Sequence, residues 1–322
     1  MMNSFEYANA TTVEEALSQM GAGRAVKAGG VDLLDLMKEG LVSPKRVINI
    51  RNIPGLGEID IQPQGARIGP LVTLAALGEH RGLRAGFRAL ADAALGAATP
   101  QIRNMASAGG NLLQRPRCWY FRQEEFHCLK KGGSECFAQD GENQYHAIFN
   151  NELCAIVHPS ALATALVAFD ATLEISAKKG KREVPIANFF IRPEQDVRRE
   201  NVLGADELIT GISVPSFPGL RSAYRKQKEK ESFDWPIADV AVVLQMDKGV
   251  ARSVAVVLGA AAPVPLRSAE AERELTGKRI DETIARRAAK AAMATASPLA
   301  KNGYKLPVFE AVIRKTIMEA LS

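Results

Sequence analysis

Apolar residues recur at every third or fourth position in several parts of the chain, which is the spacing of helices that bury one face. This spacing predicts helices over residues 31–38, 74–80, 86–95, 268–275, 281–293 and 307–321. Hydroxyl residues precede two patterned segments, since Thr11 and Thr12 stand before Val13, and Thr73 stands before Leu74. Threonine commonly caps a helix N-terminus, so we predict a helix start at both places.

Other segments alternate apolar and polar residues, which is typical of strands with one buried face. The alternation predicts strands over residues 24–28, 46–50, 66–73, 171–177 and 207–215, and a hairpin of residues 237–246 and 253–258. Residues 216–220 contain Pro218 and Gly219 and are interpreted as a linker. Strands followed by helices beyond it are typical of a small α+β domain. We therefore predict one domain over residues 1–218 and a second over residues 219–322.

Composition is that of an ordinary globular chain, with 322 residues, 47% of them hydrophobic, and a formal charge of +5. Basic residues concentrate only at 178–182 and 221–230, which we interpret as solvated surface. No basic helix or aromatic-studded sheet motif accompanies them, so no nucleic-acid partner is expected. No apolar run reaches the roughly 18 residues of a membrane span, and residues 1–8 lack a signal-peptide layout. We expect a cytoplasmic protein, or a periplasmic one if a partner subunit carries it through export.

Cysteine occurs in one segment of the chain only, at Cys118, Cys128, Cys136 and Cys154. The spacing C-x9-C-x7-C-x17-C, with many turn-forming residues between, predicts a long loop, and such loops in compact domains are usually functional or disordered. Structural zinc normally uses closer Cys pairs, and disulfides are typical of small secreted chains. A cubane iron–sulfur cluster needs four thiolates and tolerates irregular spacing. On spacing alone the cluster is favoured, and zinc, disulfides and unligated thiols stay open.

Two glycine pairs stand beside predicted helix starts. Gly29-Gly30 lies between the strand 24–28 and the helix 31–38, and Gly109-Gly110 follows Ser107. A strand, a glycine bend and a helix N-terminus together expose backbone N–H groups that bind phosphate. Either pair alone is more often an ordinary turn. Two pairs, 80 residues apart, predict a site that holds one diphosphate from both sides.

The chain contains five motifs in this order: KAGGVDLLDLMK, IGPLV, IRNMASAGGNLLQRPRC, CAIVHPS and YRKQ. Together they resemble the FAD-binding medium subunit of the molybdenum hydroxylase (xanthine dehydrogenase) family, over essentially the whole chain. Cysteines in an insertion after GGNLLQ resemble the subgroup that adds a 4Fe-4S cluster. That subgroup includes the flavin subunits of periplasmic aldehyde oxidoreductase and of 4-hydroxybenzoyl-CoA reductase. The place of Cys154 directly before AIVHPS is more similar to the aldehyde oxidoreductase layout.

The resemblance implies an α+β protein with a vanillyl-alcohol-oxidase-type (PCMH) FAD-binding fold and a C-terminal α+β domain of the CO dehydrogenase flavoprotein type. The FAD-binding part would comprise two α/β subdomains, over about residues 1–55 and 56–218, the larger built on a mixed sheet and carrying the 4Fe-4S insertion at 115–155. FAD is expected between the two subdomains. The expected FAD contacts are Ala25, Val26, Lys27, Ala28, Gly29, Gly30, Val31, Asp32, Leu33, Ser107, Ala108, Gly109, Gly110 and Asn111.

The resemblance also implies roles for individual residues of this chain. Lys226, in YRKQ, matches a family lysine expected near the flavin ring. The expected cluster ligands are Cys118, Cys128, Cys136 and Cys154. Ala161 departs from the family, which usually has an acidic residue after HPS that helps to fix FAD; Asp170 is only a weak substitute.

Side chains near the cysteines are given lesser roles. The histidines of this region are interpreted as surface or packing side chains rather than ligands; they are His127, His146 and His158. The aromatic run Trp119, Tyr120 and Phe121 is expected to shield the cluster from solvent.

The function implied by the resemblance is electron transfer by one subunit of a heterotrimeric molybdenum hydroxylase. Its expected partners are a molybdenum cofactor-binding large subunit, a 2Fe-2S small subunit and an external electron acceptor. No residue is assigned a catalytic role, because the chain shows no molybdopterin motif and no acid/base pair. The alternatives are a flavin subunit of a 4-hydroxybenzoyl-CoA reductase-like enzyme, a self-contained flavin oxidase and a zinc-stabilised binding module.

Overall fold

The computed structural model describes residues 2–230 and 232–322. The helices are α1 Val13–Gln19, α2 Val31–Lys38, α3 Leu74–Glu79, α4 Arg81–Gly86, α5 Arg88–Leu95, α6 Pro100–Arg103, α7 Ala108–Leu112, α8 Trp119–Arg122, α9 Ala161–Ala168, α10 Ala269–Leu275, α11 Glu282–Ala292 and α12 Lys305–Leu321. The strands are β1 Glu6–Asn9, β2 Arg24–Lys27, β3 Arg46–Asn49, β4 Ile59–Gln62, β5 Gly65–Ile68, β6 Thr172–Ala177, β7 Gly180–Pro185, β8 Glu207–Pro215, β9 Leu220–Gln227, β10 Ala238–Asp247, β11 Val250–Gly259 and β12 Leu266–Arg267. In this part of the chain, no helix combines the length and apolar character needed to cross a membrane.

The first sheet is parallel, with strand order β1-β3-β2. The chain leaves β2, passes through Gly29 and Gly30, and enters α2 directly. Gly30 has φ +78° at the N-cap of α2, a left-handed conformation that glycine adopts without the strain a Cβ would cause. The predicted strand, glycine bend and helix therefore form one continuous unit.

The second sheet has strand order β4-β5-β8-β6-β7, and every described pairing in it is antiparallel. The expectation of a mixed sheet is therefore wrong. Tight turns explain the difference, because β4 with β5 and β6 with β7 are hairpins, and a hairpin connection forces neighbouring strands to run in opposite directions. Helices α5 and α9 share a core with this sheet that includes Leu90, Leu166 and Ile212, and the same helices pack directly against strands of the third sheet.

The third sheet, β12-β11-β10-β9, is also antiparallel. Helices α10 to α12 cover it, and their core includes Val240, Val256, Phe309 and Ile313. The predicted hairpin is confirmed as β10 and β11. The predicted C-terminal helices are confirmed, although α12 begins at Lys305 rather than Pro307.

Two predicted helix caps are confirmed. The Thr12 hydroxyl accepts the Glu15 N–H at 3.1 Å, and the Thr73 hydroxyl accepts the Ala76 N–H at 3.1 Å. The interpretation of residues 216–220 as a linker is wrong at its last residue, because β9 begins at Leu220. The strand runs to Gln227, within the basic stretch 221–230, and Arg221 and Arg225 on it are exposed as expected. The predicted strand 66–73 ends at Ile68, since the following Gly-Pro pair interrupts a ladder.

Candidate functional site

A cavity of about 700 Å³ brings the two glycine turns and Lys226 together. This volume lies in the usual range for cofactor and ligand pockets. The expected FAD contacts that line it are Val26, Lys27, Ala28, Gly29, Gly30, Val31, Asp32, Leu33, Ser107, Gly109, Gly110, Asn111 and Lys226. Ala25 and Ala108 do not line it: Ala25 pairs with Val47 in the first sheet, and Ala108 is buried in the main core.

The two glycine turns are in direct contact. A Cβ on Gly29 would lie 1.8 Å from the Met105 carbonyl oxygen, so only glycine permits this approach of the two backbones. Beyond Gly30, helix α2 receives no side-chain cap, which leaves backbone N–H groups of its first turn for another acceptor. At the second turn, Ser107 Oγ accepts the Gly110 N–H at 3.2 Å. The arrangement suits an anionic group held between the turns.

The carboxylate of Asp32 is occupied by the cysteine segment. Its Oδ1 lies 2.7 Å from Arg117 Nη2 and 2.8 Å from Arg122 Nη2. Its Oδ2 accepts the Arg115 N–H at 2.9 Å. Asp32 therefore stands at the cavity wall with its negative charge paired, which removes the repulsion that a free carboxylate would exert on a diphosphate.

Lys226 lines the cavity and donates from Nζ to the Gly96 carbonyl at 3.0 Å. Burial lowers the pKa of Lys226 to about 8, and the nearby Asp239 carboxylate opposes that shift. Ala161 also lines the cavity. The suggested substitute for its missing carboxylate, Asp170, instead pairs with Arg267 at 2.6 Å and does not line the cavity.

The remaining wall comes from segments that sequence reasoning did not assign to the site. They include Arg24, Thr99, Leu203, Phe233 and Trp235. Thr99 followed by Pro100 is a recognisable helix start, and the Thr99 hydroxyl does accept the Ile102 N–H at 3.2 Å. Phe233 and Trp235 lie in the β9–β10 connection, where no motif marks them.

All four cysteines line a second, small cavity. They are free thiols; Cys128 and Cys154 are buried, and the other two are half-buried. Among residues 2–230 and 232–322, no three His, Cys, Asp or Glu side chains stand close enough to hold one metal ion. The four thiols therefore share one small cavity of about 10 Å³ without converging on a single point. Tyr120 and Phe121 line that space, whereas Trp119 does not.

The thiols differ in acidity. Burial raises the pKa of Cys118 to about 12. A hydrogen bond from the Cys154 thiol lowers the pKa of Cys136, and the same contact raises the pKa of Cys154. A metal or cluster would require all of them as thiolates, so its binding would release protons.

Two further side chains line the second cavity: Lys130, for which no role was predicted, and His146, which was interpreted as a surface or packing side chain. His146 Nε2 lies 3.2 Å from Cys118 Sγ, and the buried Lys130 pairs with Glu200 at 2.8 Å. Neither carries a local motif. The other two histidines behave as interpreted: His127 is exposed, and His158 packs edge-on against Phe190, with 4.4 Å between ring centroids.

The two cavities are neighbours. Arg117 lines the first and Cys118, the next residue, lines the second. The Arg117 guanidinium also lies 4.8 Å from the ring centroid of Trp235, a residue of the first cavity.

Comparison with known proteins identifies both parts of the chain. Residues 3–217 match the FAD binding domain in molybdopterin dehydrogenase, and residues 222–320 match the CO dehydrogenase flavoprotein C-terminal domain. The aldehyde oxidoreductase FAD-binding subunit PaoB of Escherichia coli (strain K12) is 34% identical over 327 residues, covering 99% of each chain. The xanthine dehydrogenase FAD-binding subunit of Escherichia coli O157:H7 is 24% identical and covers 100% of this chain and 98% of its own length.

A solved structure of carbon monoxide dehydrogenase from Hydrogenophaga pseudoflava matches with a TM-score of 0.77 and 26% identity, covering 100% of this chain and 98% of that one. These matches confirm the expected fold class and the oxidoreductase character. The chain belongs to the family of FAD-binding medium subunits of the molybdenum hydroxylases, which includes the CO dehydrogenase flavoproteins.

Proposed function

We propose that this chain is the FAD- and 4Fe-4S-binding electron-transfer subunit of a heterotrimeric molybdenum hydroxylase, of the aldehyde oxidoreductase or xanthine dehydrogenase type. The cluster rests on one observation: every cysteine of the chain lines the same cavity. A zinc ion needs its ligands about 2.3 Å from a single point. A cubane binds one thiolate at each of its irons, so its four ligands must line one common space, and the four thiols line one small cavity of about 10 Å³.

The residues that line the first cavity also fit the cofactor proposed for it, FAD. The glycine turns offer backbone N–H groups to the diphosphate, and Lys226 offers a positive charge. Bound FAD supplies the redox chemistry, and the protein holds it beside the cysteine cavity. We assign no catalytic side chain, because the proposed role is to pass electrons between 2Fe-2S clusters and an external acceptor.

The aldehyde oxidoreductase type is favoured by the relative named an aldehyde oxidoreductase FAD-binding subunit. On this proposal the partners are a molybdenum cofactor-binding large subunit and a 2Fe-2S small subunit. We propose that the complex is cytoplasmic or reaches the periplasm by co-export; fractionation of cells that express the tagged chain distinguishes the two.

Anaerobic purification with flavin, iron and zinc analysis tests the cofactors. We expect one FAD and about four irons per chain, and a Cys154→Ser variant that retains FAD but loses iron. Ser134→Ala, a change within the same segment, should alter neither. Zinc in place of iron, or iron that survives in Cys154→Ser, would contradict the cluster, and a colourless protein would contradict both cofactors.

Affinity purification of the tagged chain from its native cells tests the partners. We expect two companion subunits, one with molybdenum and one with 2Fe-2S clusters. Recovery of the chain alone, fully active in oxidising an organic substrate, would refute the electron-transfer role.

A further inference from the structure

We propose that Asp32 is a positioning residue that couples FAD binding to the ordering of the cysteine segment. The proposal rests on the proposed function for the identity of the two cofactors. Its basis is the position of Asp32, which is the second residue of α2, lines the first cavity and binds three residues that flank Cys118 in the cysteine segment.

The contacts of Asp32 reach the base of the cysteine segment. Its carboxylate accepts a hydrogen bond from the Arg115 N–H and contacts the guanidinium groups of Arg117 and Arg122. Arg122 in turn donates to the Pro116 carbonyl at 2.8 Å and to the Arg115 carbonyl at 2.9 Å. Residues 115–122 are thus closed into a loop whose centre is the Asp32 carboxylate, and Cys118 lies within that loop.

These contacts are shielded from solvent. The side chains of Asp32, Arg117 and Arg122 are only 15%, 22% and 12% exposed. Charges at such a depth are weakly screened by salt, and the loss of one partner leaves the others buried without compensation. Asp35 adds a second, more exposed set of contacts, at 3.2 Å to Arg117 and 3.0 Å to Arg122. The deeper carboxylate, Asp32, therefore makes the larger contribution.

The coupling follows from the place of Asp32 on the helix. A diphosphate at the uncapped start of α2 stabilises the first turn, and that turn carries Asp32. FAD binding should therefore fix the carboxylate that holds residues 115–122. Because coupling between two sites is reciprocal, an ordered cysteine segment should in turn strengthen FAD binding.

Thiol labelling of the iron-free chain with N-ethylmaleimide, with and without FAD, tests this directly. We expect FAD to slow labelling of Cys118 by about fivefold or more in the wild type, the usual lower range of coupling between sites. In Asp32→Asn, FAD should no longer change the labelling rate, and FAD should bind more weakly by the same factor of about fivefold or more, because the coupling is reciprocal. Asp60→Asn, exposed on β4 and outside both cavities, is the matched control and should behave as wild type.

Asp35→Asn provides a second variant in case Asp32→Asn does not fold, as judged by circular dichroism. In Asp35→Asn, FAD should still slow the labelling of Cys118, but by a smaller factor than in wild type. The proposal is overturned if Asp32→Asn keeps full protection by FAD, or if Asp35→Asn equals wild type when Asp32→Asn is unfolded. It is also overturned if wild-type chain binds FAD without any protection of Cys118. A wild-type chain that binds no FAD would instead refute the proposed function.

Discussion

Lys226 of β9 and Asp239 of β10 are direct partners across two antiparallel strands. Asp239 is 2% exposed, and its carboxylate accepts the Thr164 hydroxyl at 3.0 Å. Burial raises the pKa of Asp239 to about 6 and lowers that of Lys226 to about 8. Near pH 7 both groups are therefore mainly charged, and each compensates for the burial of the other. The buried Asp239 carboxylate therefore lies next to Lys226, the lysine expected near the flavin ring.

Replacing Lys226 with methionine should lower the reduction potential of bound FAD. The loss of a positive charge disfavours added electrons, and we expect a decrease of roughly 30 mV, equivalent to about 1.4 kcal/mol for a two-electron couple. The difference from wild type should be present below about pH 8 and vanish at higher pH, because wild-type Lys226 then loses its own proton. An anionic reduced flavin would raise the pKa of Lys226, and the pH at which the two potentials become equal would rise with it.

Spectroelectrochemical titration over pH 6 to 10 measures this effect. Lys179→Met, in the exposed β6–β7 turn, controls for the loss of one surface charge and should leave the potential unchanged. Equal potentials in wild type and Lys226→Met at pH 7 would exclude a role for Lys226 at the ring.

Replacing Gly29 with alanine should separate the two glycine turns. The added methyl would lie 1.8 Å from the Met105 carbonyl oxygen, and forced overpacking of this kind costs about 1–3 kcal/mol. We expect both the free energy of unfolding and the FAD affinity to fall, as measured by urea titration and by quenching of flavin fluorescence. Gly86→Ala, where nothing lies within 4 Å of the new Cβ, should preserve both; a Gly29→Ala chain with wild-type affinity would show that the turns do not share the cofactor.

Replacing His146 with leucine should lower the potential of the proposed cluster without removing iron. His146 Nε2 lies 3.2 Å from Cys118 Sγ, and hydrogen bonds to ligand sulfurs help to set cluster potentials. Redox titration followed by electron paramagnetic resonance gives the potential, and iron analysis gives the content. The exposed His127, changed to leucine, is the control. Iron loss as complete as in Cys154→Ser would instead make His146 a ligand.

Replacing His158 with phenylalanine should reduce the loss of stability in mild acid. Burial lowers the pKa of His158 to about 3, below its ordinary 6.5. Between these values the unfolded chain binds a proton that the folded chain does not, so wild-type stability falls as the pH decreases from 6.5 toward 3. The contribution is at most about 1.4 kcal/mol per pH unit.

Urea unfolding at pH 7.5 and pH 5.0 checks this prediction. The variant should lose about 2 kcal/mol less than wild type over that interval. Each protein is compared with itself at pH 7.5, so any packing defect of the new phenylalanine ring cancels in the difference. An identical pH dependence in both proteins would mean that folding does not lower the pKa of His158.

Local sequence signals were sufficient to predict the elements that build the first cavity. The Gly29-Gly30 bend, helix α2 and the Thr73 cap were all predicted, because each depends on residues adjacent in the chain. Strand β9 was missed because its buried positions include Ser222 and Tyr224 beside charged neighbours, so that no apolar alternation is visible. Ser222 and Tyr224 are buried on the side of α5, where Ser222 Oγ accepts the N–H of Ala89, 133 residues earlier in the chain, at 3.1 Å.

The electrostatics of the site were beyond local reasoning. Asp32 lines the first cavity, as expected of a residue near FAD, but the contacts of its carboxylate with arginines 83 to 90 residues away were not predicted. His146 reaches Cys118 across 28 residues. Such contacts are set by how the cysteine segment folds back on α2, which no spacing rule describes. The concentration of the cysteines in one segment nevertheless predicted one shared site, and the four thiols do line one cavity.

The adjacency of Arg117 and Cys118 limits how the chain can change in length. Because these two neighbours face different cavities, one peptide unit separates the sites. An insertion or deletion of a single residue between Gln114 and Cys118 would displace either the arginine or the thiol from its side of that partition. Among relatives that carry such a cysteine insertion, the interval from the second glycine turn to the first cysteine should therefore be constant, even where its side chains differ.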